Sequence, residues 1–287
     1  MSSLLPNSIY KCYCLAKAFV CSIDKSRLLI LPYLELCITS RCSFQCVNCA
    51  NLMQYYKSPK DYDTEHILET VCRLLACVDS IDCFRILGGE PFMHKDIARI
   101  ISYCAEQGKI VQVQLVTNGT IVPKEEVLKA LAHAKVSVYI SDYGTVSGNR
   151  VRLEKCLSEN GIVHVSDSNY IWDDMGGLDR RNYSDERVRS VYRGCRDICK
   201  TLVEGLVYVC PRSAHGDKLG VIPANDHDYV DILAGSEDEV RHRLRTLYDV
   251  EYIEACHYCN AVEDRCKIAA GEQCSAAQTK FESTNAG

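Results

Sequence analysis

Three cysteines on one short stretch, Cys42-x3-Cys46-x2-Cys49, have the types and spacing to do chemistry. They follow an apolar run, Leu28 to Leu36, that predicts a strand, so the thiols sit on the loop that leaves it. Cubane [4Fe–4S] clusters are held by cysteine thiolates, normally four. Three local thiolates would leave one iron open, and an open position can bind a substrate or cofactor, as on a catalytic zinc. A zinc knuckle or a group of buried thiols is the plainer alternative.

Cysteines gather again past Val188. Cys195 precedes Cys210, with Gly205 between them, and Cys256-x2-Cys259 comes later. Leu202 to Val209 predicts a hairpin turning near Glu204-Gly205. Ser236-x-x-Glu239 is a capping box that starts a helix through Leu247. A hairpin and a helix that bring the two pairs together would close a four-cysteine site, for a cluster or for a structural zinc. Cys199 is an alternative to Cys195. Cys72, Cys77, Cys104 and Cys156 fall on apolar faces and read as small core residues. Cys12, Cys14 and Cys21 are too irregularly spaced to define a site, and residues 1–26 read as an N-terminal extension packed on the rest.

The elements that must position these thiols alternate between strand and helix from Arg27 onward. The first strand is predicted over Leu28 to Ile38. Asp63 and Glu65 open a helix favourable to its dipole, with an apolar stripe at Ile67, Leu68, Val71, Leu74 and Leu75. Ile81 to Leu87 is the second strand, and Ile97, Ile100, Ile101 and Cys104 mark the next helix, stopped by Gly108. Ile110 to Thr117 alternates as a third strand. Pro123 suits the first turn of a helix to about His133. Val136 to Ser141 is the fourth strand, Val151 to Leu157 lie on a helix closed by Gly161, and a fifth strand begins there. This order implies a parallel sheet with helices outside it.

Unusual loops follow the strand ends, where such barrels place their active sites. Gly88-Gly89-Glu90-Pro91 comes after the second strand, and its glycines let backbone approach a ligand closely. Thr117-Asn118-Gly119 follows the third strand. Ser141-Asp142-Tyr143-Gly144 follows the fourth, where Ser141 and Asp142 can bind ribose hydroxyls or act as ordinary turn residues. Asp167 to Arg189, with Trp172, Gly176 and Gly177, reads as a mobile loop over the barrel mouth or as a solvated linker.

The cysteine triplet with GGEP about forty residues after it resembles the radical S-adenosylmethionine (SAM) superfamily. The resemblance implies a partial (β/α)6 TIM-like barrel open on one side, spanning residues 27–190. Cys42, Cys46 and Cys49 would hold a [4Fe–4S] cluster whose open iron chelates SAM. Gly88, Gly89, Glu90 and Pro91 would bind the SAM amino group through backbone carbonyls, with Asn118, Ser141 and Asp142 as further cofactor contacts. The superfamily's aromatic residue before the third cysteine is replaced by Asn48, which leaves adenine stacking unassigned. The second set, over residues 191–275, resembles the twitch and SPASM modules. In the twitch form a hairpin and helix hold one auxiliary [4Fe–4S] cluster, carried here by Cys195, Cys210, Cys256 and Cys259. Cys266 and Cys274 are spaced wrongly for a second auxiliary cluster. Residues 276–287 are a tail.

Length and composition agree with one large α/β domain plus a small module: 287 residues, 47% hydrophobic, net charge −5. No basic run points to nucleic acid and no apolar stretch reaches a membrane span. With 19 cysteines and no signal peptide read at the N-terminus, a reducing cytoplasm and metal ligation are expected.

Three reactions fit the resemblance. In plan the chain resembles the 2-deoxy-scyllo-inosamine dehydrogenases, which implies alcohol oxidation on a sugar- or aminocyclitol-like small molecule, with the auxiliary cluster taking the electron. A flavodoxin- or ferredoxin-type protein would reduce the first cluster. Peptide modification is the second reading, weakened because about thirty residues before the barrel are too few for a leader-binding domain. Radical epimerisation, with Cys199 or Cys266 returning hydrogen, is the third.

Overall fold

Local chemistry explains where the elements begin. The Asp63 side chain accepts from the His66 N–H and caps α1 (Thr64–Cys77). Ser236 and Glu239 form a reciprocal capping box at the start of α7 (Glu237–Thr246). The chain's structure is a computed structural model that describes residues 28–168, 171–195 and 199–274. Residues 1–26, with Cys12, Cys14 and Cys21, and the tail 276–287 lie outside the described residues.

Five parallel strands run in sequence order: β1 (Ile30–Cys37), β2 (Ser80–Leu87), β3 (Ile110–Thr117), β4 (Val136–Ser141) and β5 (His164–Asp167). The helices α1, α2 (Ile97–Glu106), α3 (Glu125–Leu131) and α4 (Arg150–Glu159) connect them. This is the partial TIM-like barrel. Pro123 stands before the α3 cap, Lys124, rather than in its first turn, and Glu125 and Glu126 occupy that dipole-favourable turn instead. The α2 helix ends at Glu106 with Gln107 as its C-cap, one residue before Gly108.

A sixth parallel strand comes from an unexpected place. β7 (Thr201–Val203) pairs in parallel with β1, through Glu35↔Thr201 and Leu36↔Leu202. β8 (Leu206–Tyr208) and β9 (Tyr229–Asp231) continue antiparallel, so one eight-stranded sheet runs β5-β4-β3-β2-β1-β7-β8-β9. The predicted hairpin is therefore joined to the barrel by backbone hydrogen bonds, and the sheet crosses the boundary predicted near residue 190. Its turn is tight: Glu204 has φ 45 and Gly205 φ 83, the positive pair that a two-residue hairpin turn requires.

The barrel strands bury one apolar face, with Leu34, Leu36, Phe84, Ile86, Val113, Leu115, Val138 and Ile140 in the core beneath the helices. Side chains alternate along a strand, and the opposite face is polar. Tyr33 donates to Glu35 at 2.6 Å, Arg85 donates to Tyr33 at 2.8 Å and to Gln114 at 2.6 Å, and the Arg85 guanidinium stacks over the Tyr33 and Tyr139 rings. The barrel interior is thus a charged, hydrogen-bonded lining.

The segment predicted as a mobile loop or solvated linker is instead tied down. β6 (Ile171–Asp173) pairs antiparallel with β10 (Lys267–Ala269). Asp174 N donates to Cys266 O at 2.9 Å, and Arg181 N to His257 O at 2.6 Å. α5 (Asp185–Gly194) then leads to Cys195, and α6 (Pro211–Lys218) starts directly after Cys210. No described helix is long and apolar enough to cross a membrane.

Candidate functional site

The cluster loop is shaped by backbone. Gly89 N donates to Thr39 O at 2.9 Å and Glu90 N to Arg41 O at 2.8 Å. Those two bonds lay the GGEP turn along the cysteine loop so closely that a side chain on Gly88 or Gly89 would meet backbone atoms of Thr39 or Arg41. The loop is held from the other side by the C-terminal strap. Val47 N donates to Glu272 O at 2.8 Å, Cys274 N to Gln45 O at 2.7 Å, and Gln45 N to the Gln273 side chain at 2.8 Å.

Two sulfurs of the triplet accept hydrogen bonds. Phe44 N donates to Cys42 Sγ at 3.4 Å, Asn118 Nδ2 reaches the same sulfur at 3.8 Å, and Gln273 Nε2 donates to Cys46 Sγ at 3.4 Å. Leu52 N donates to Cys49 O at 2.9 Å, and the backbone N–H groups of residues 51–53 favour the Cys49 thiolate against the burial that raises it. Leu52 holds φ 54 there, a left-handed value rare for a leucine, and such turns make anion-binding concavities of successive N–H groups. Burial pushes the Cys42 and Cys46 thiols up to about 12. These sulfurs are built to carry negative charge only against a strong cation, which fits iron ligation.

One cavity of about 510 Å³ is lined by Cys49 of the first cysteine set and by all four cysteines of the second. Cys49, Gly88, Gly89, Asn118 and Ser141 line one end, and Cys195, Cys210, Cys256 and Cys259 line the other. Electrostatics tie these last four together: Cys256 feels Cys210, Cys259 and Cys195, and Cys210 feels Cys259 and Cys195. Cys199 also lines the cavity, and Tyr248 feels both Cys199 and Cys210, so Cys199 stands beside the set as the alternative to Cys195. Between the two ends, Glu35 and Arg85 bring the polar barrel lining into the wall. Among the described residues, no three ligand-type side chains gather tightly enough to hold a single ion.

Several expected cofactor contacts stand elsewhere. Glu90 is fully buried and accepts from Thr117 Oγ1 at 2.8 Å, Asn118 N at 2.8 Å and Phe92 N at 3.1 Å. It ties the loops after β2 and β3 together behind the wall, and burial pushes its carboxyl up to about 7. Pro91 is buried in the short 3-10 turn Pro91–Met93. Asp142 accepts from Ser168 Oγ at 2.8 Å and pairs with Arg150 at 3.2 Å. None of these three lines the cavity, whereas Gly88, Gly89, Asn118 and Ser141 do. Cys266 is exposed, and Cys274 lies beside Cys46 of the first set rather than near the second.

The sequence reading missed an aromatic corner. Tyr143 lies 6.1 Å from the Phe44 ring and 5.3 Å, edge-on, from Trp172, and both Tyr143 and Trp172 line the cavity. Asn48 lines it too. The one tryptophan of the chain, placed in a segment that broke the strand–helix alternation, was the available signal.

Residues 36–141 match the Radical SAM superfamily. The chain is 28% identical over 100 residues to a GTP 3′,8-cyclase of Campylobacter lari, covering 33% of this chain and 30% of that protein. It is 34% identical over 94 residues to a GTP 3′,8-cyclase of Stenotrophomonas maltophilia, covering 32% and 28%. The chain thus spans under a third of the length of these relatives. Among solved structures, BtrN in complex with AdoMet and 2-DOIA aligns with a TM-score of 0.54 at 17% identity, over 81% of this chain and 94% of that one. That likeness is one of fold.

Proposed function

Residues 36–141 form a radical SAM domain, and from that premise we propose that the chain oxidises an alcohol carbon of a small sugar- or aminocyclitol-like substrate, using two [4Fe–4S] clusters. Cys42, Cys46 and Cys49 would hold the first, and Cys195, Cys210, Cys256 and Cys259 the second. The observation that supports the reading is one cavity lined by Cys49 of the first set and by all four cysteines of the second. When bound, the first cluster and SAM supply a 5′-deoxyadenosyl radical, which is the cofactor's own chemistry.

The chain's residues do the rest. Tyr143 and Trp172 offer an aromatic wall for the adenine in place of the missing aromatic at Asn48. Gly88 and Gly89 bring backbone against the cofactor, and Asn118 and Ser141 offer polar contacts beside it. Glu35 and Arg85 present opposite charges to hydroxyl or amino groups of the substrate. The strapped β6–β10 wall limits water, so the radical meets the substrate rather than solvent. Oxidation of a carbinol to a ketone balances as one hydrogen atom to the deoxyadenosyl radical, one proton to solvent and one electron to the second cysteine set. A flavodoxin- or ferredoxin-type donor would supply the electron that starts each turnover.

The test uses cyclitols and aminocyclitols deuterated at their carbinol carbons, given to the reconstituted chain with SAM and a reductant. The expected result is deuterium in 5′-deoxyadenosine together with a ketone. Solvent deuterium entering the product without oxidation would replace this reading with epimerisation. Absence of transfer from every compound of the panel, with SAM cleavage stimulated only by a peptide, would overturn it.

A further inference from the structure

Both cysteine sets receive hydrogen bonds from side chains, and the two sets differ in the charge of the donor. On the first set the donors are neutral amides, Asn118 to Cys42 at 3.8 Å and Gln273 to Cys46 at 3.4 Å. On the second they are guanidinium groups. Arg265 Nη2 stands 4.0 Å from Cys195 Sγ. Arg212 lines the same cavity as Cys259, is bonded to the carbonyl of its neighbour Tyr258 at 3.5 Å, and its charge favours the Cys259 thiolate.

Arg212 is the stronger of the two. It is 3% exposed and lines the cavity between the sets. Its Nη2 donates to Gly177 O at 2.7 Å and Tyr258 O at 3.5 Å, and its Nε has no partner. Among the described residues it pairs with no carboxylate. A buried cation without a counter-ion is costly, so the anion that balances it must be the sulfurs beside it and what they hold. Its field also reaches Cys49, where it is the smallest of the influences.

We infer that Arg212, assisted by Arg265, is a positioning residue for electron flow: it stabilises the added electron on the second cluster and makes that cluster the easier of the two to reduce. Net charge and hydrogen bonds to sulfur are established levers on cluster potential. Charged donors on one set and neutral donors on the other therefore set a downhill direction away from the cluster that must stay strongly reducing. This inference rests on the two-cluster reading above.

The test is potentiometric titration of the reconstituted full chain, followed by electron paramagnetic resonance, for wild type, Arg212→Gln and Arg212→Lys. Iron near eight per chain in the variants shows that both clusters are loaded. Arg212→Gln should make reduction of the second cluster about tenfold less favourable, about 59 mV for a one-electron couple, with a smaller change at the first. Arg212→Lys should recover most of that shift, because it keeps the charge. An unchanged second potential in loaded Arg212→Gln, or equal shifts in the Gln and Lys variants, would overturn the inference while leaving the two-cluster reading intact. Iron near four in wild type would sink that reading and this one with it. Should Arg212→Gln lose iron, Arg265→Gln reads the same charge effect, and no downward shift there counts against the inference.

Discussion

Gly89→Ala should empty the first cysteine set and spare the second. A Cβ at residue 89 would stand 2.6 Å from the Arg41 carbonyl carbon and 2.8 Å from Cys42 Cβ, where real contacts keep 3.0 Å or more. The obstructing atoms are the Arg41 carbonyl group and a Cβ fixed to the backbone, so no side-chain rotation relieves them. The Arg41–Cys42 peptide must move, and the bond from Glu90 N to Arg41 O, 2.8 Å long, stretches with it. Overpacking of this kind costs about 1–3 kcal/mol, and a weakened hydrogen bond adds about 1 kcal/mol. That is small against the roughly 5–15 kcal/mol of a folded domain, so the variant folds. Cys42 nevertheless shifts beyond the ~0.5 Å within which a site must be held. The assay is iron content after anaerobic reconstitution, with circular dichroism as the check on folding. About four irons per chain are expected in place of about eight, together with lost SAM cleavage. Wild-type iron and wild-type 5′-deoxyadenosine production in Gly89→Ala would refute the argument.

Cys42→Ala, Cys46→Ala and Cys49→Ala should each abolish SAM cleavage, since the neighbouring Cys37 thiol is buried and bonded to Thr39 O at 3.6 Å; retained 5′-deoxyadenosine in any one would remove that residue from the ligand set. Cys256→Ala with Cys259→Ala, shown to be folded and to hold about four irons, should still cleave SAM but fail to form ketone, and ketone formed at the wild-type rate would make the second set structural. Glu90 contributes a pH dependence of known sign. Burial raises its carboxyl from 4.5 to about 7 in the folded chain, so the native state holds a proton that the unfolded chain has released. That stabilisation is complete below the unfolded value and is lost as pH rises from 4.5 through about 7. Thermal midpoints of wild type should therefore fall across that window relative to Glu90→Gln, and parallel curves would show that burial does not govern this group.

What was legible in the sequence was local. β3 and β4 fall where their alternation and apolar runs predicted them, because side-chain period follows directly from strand geometry. The capping box at Ser236 and the turn at Glu204-Gly205 are short-range signals and were readable as such. The misses are long-range or depend on burial. Three residues of β7 carry no periodicity that could announce pairing with β1. The Gln273 contact with Cys46 spans 227 residues, and nothing near either residue encodes it. Glu90 sits in a motif expected to meet the cofactor through its backbone, and the separate task of its carboxylate, tying Thr117 and Asn118 to the motif, only the packed loops reveal. The wall at Trp172 was read as mobile or solvated because Gly176, Gly177 and several charges break its pattern. Its stability comes from pairing with β10, far along the chain.

Two cysteine sets, meeting one cavity through Cys49 and through Cys195, Cys210, Cys256 and Cys259, are proposed to hold two clusters. That central claim is tested most directly by iron, sulfide and zinc analysis of the anaerobically reconstituted full chain, with resonance spectra taken with and without SAM. The account predicts about eight irons per chain and two reduced-cluster signals, of which only one changes on SAM addition. Iron near four accompanied by zinc, or a single signal that responds wholly to SAM, would contradict it.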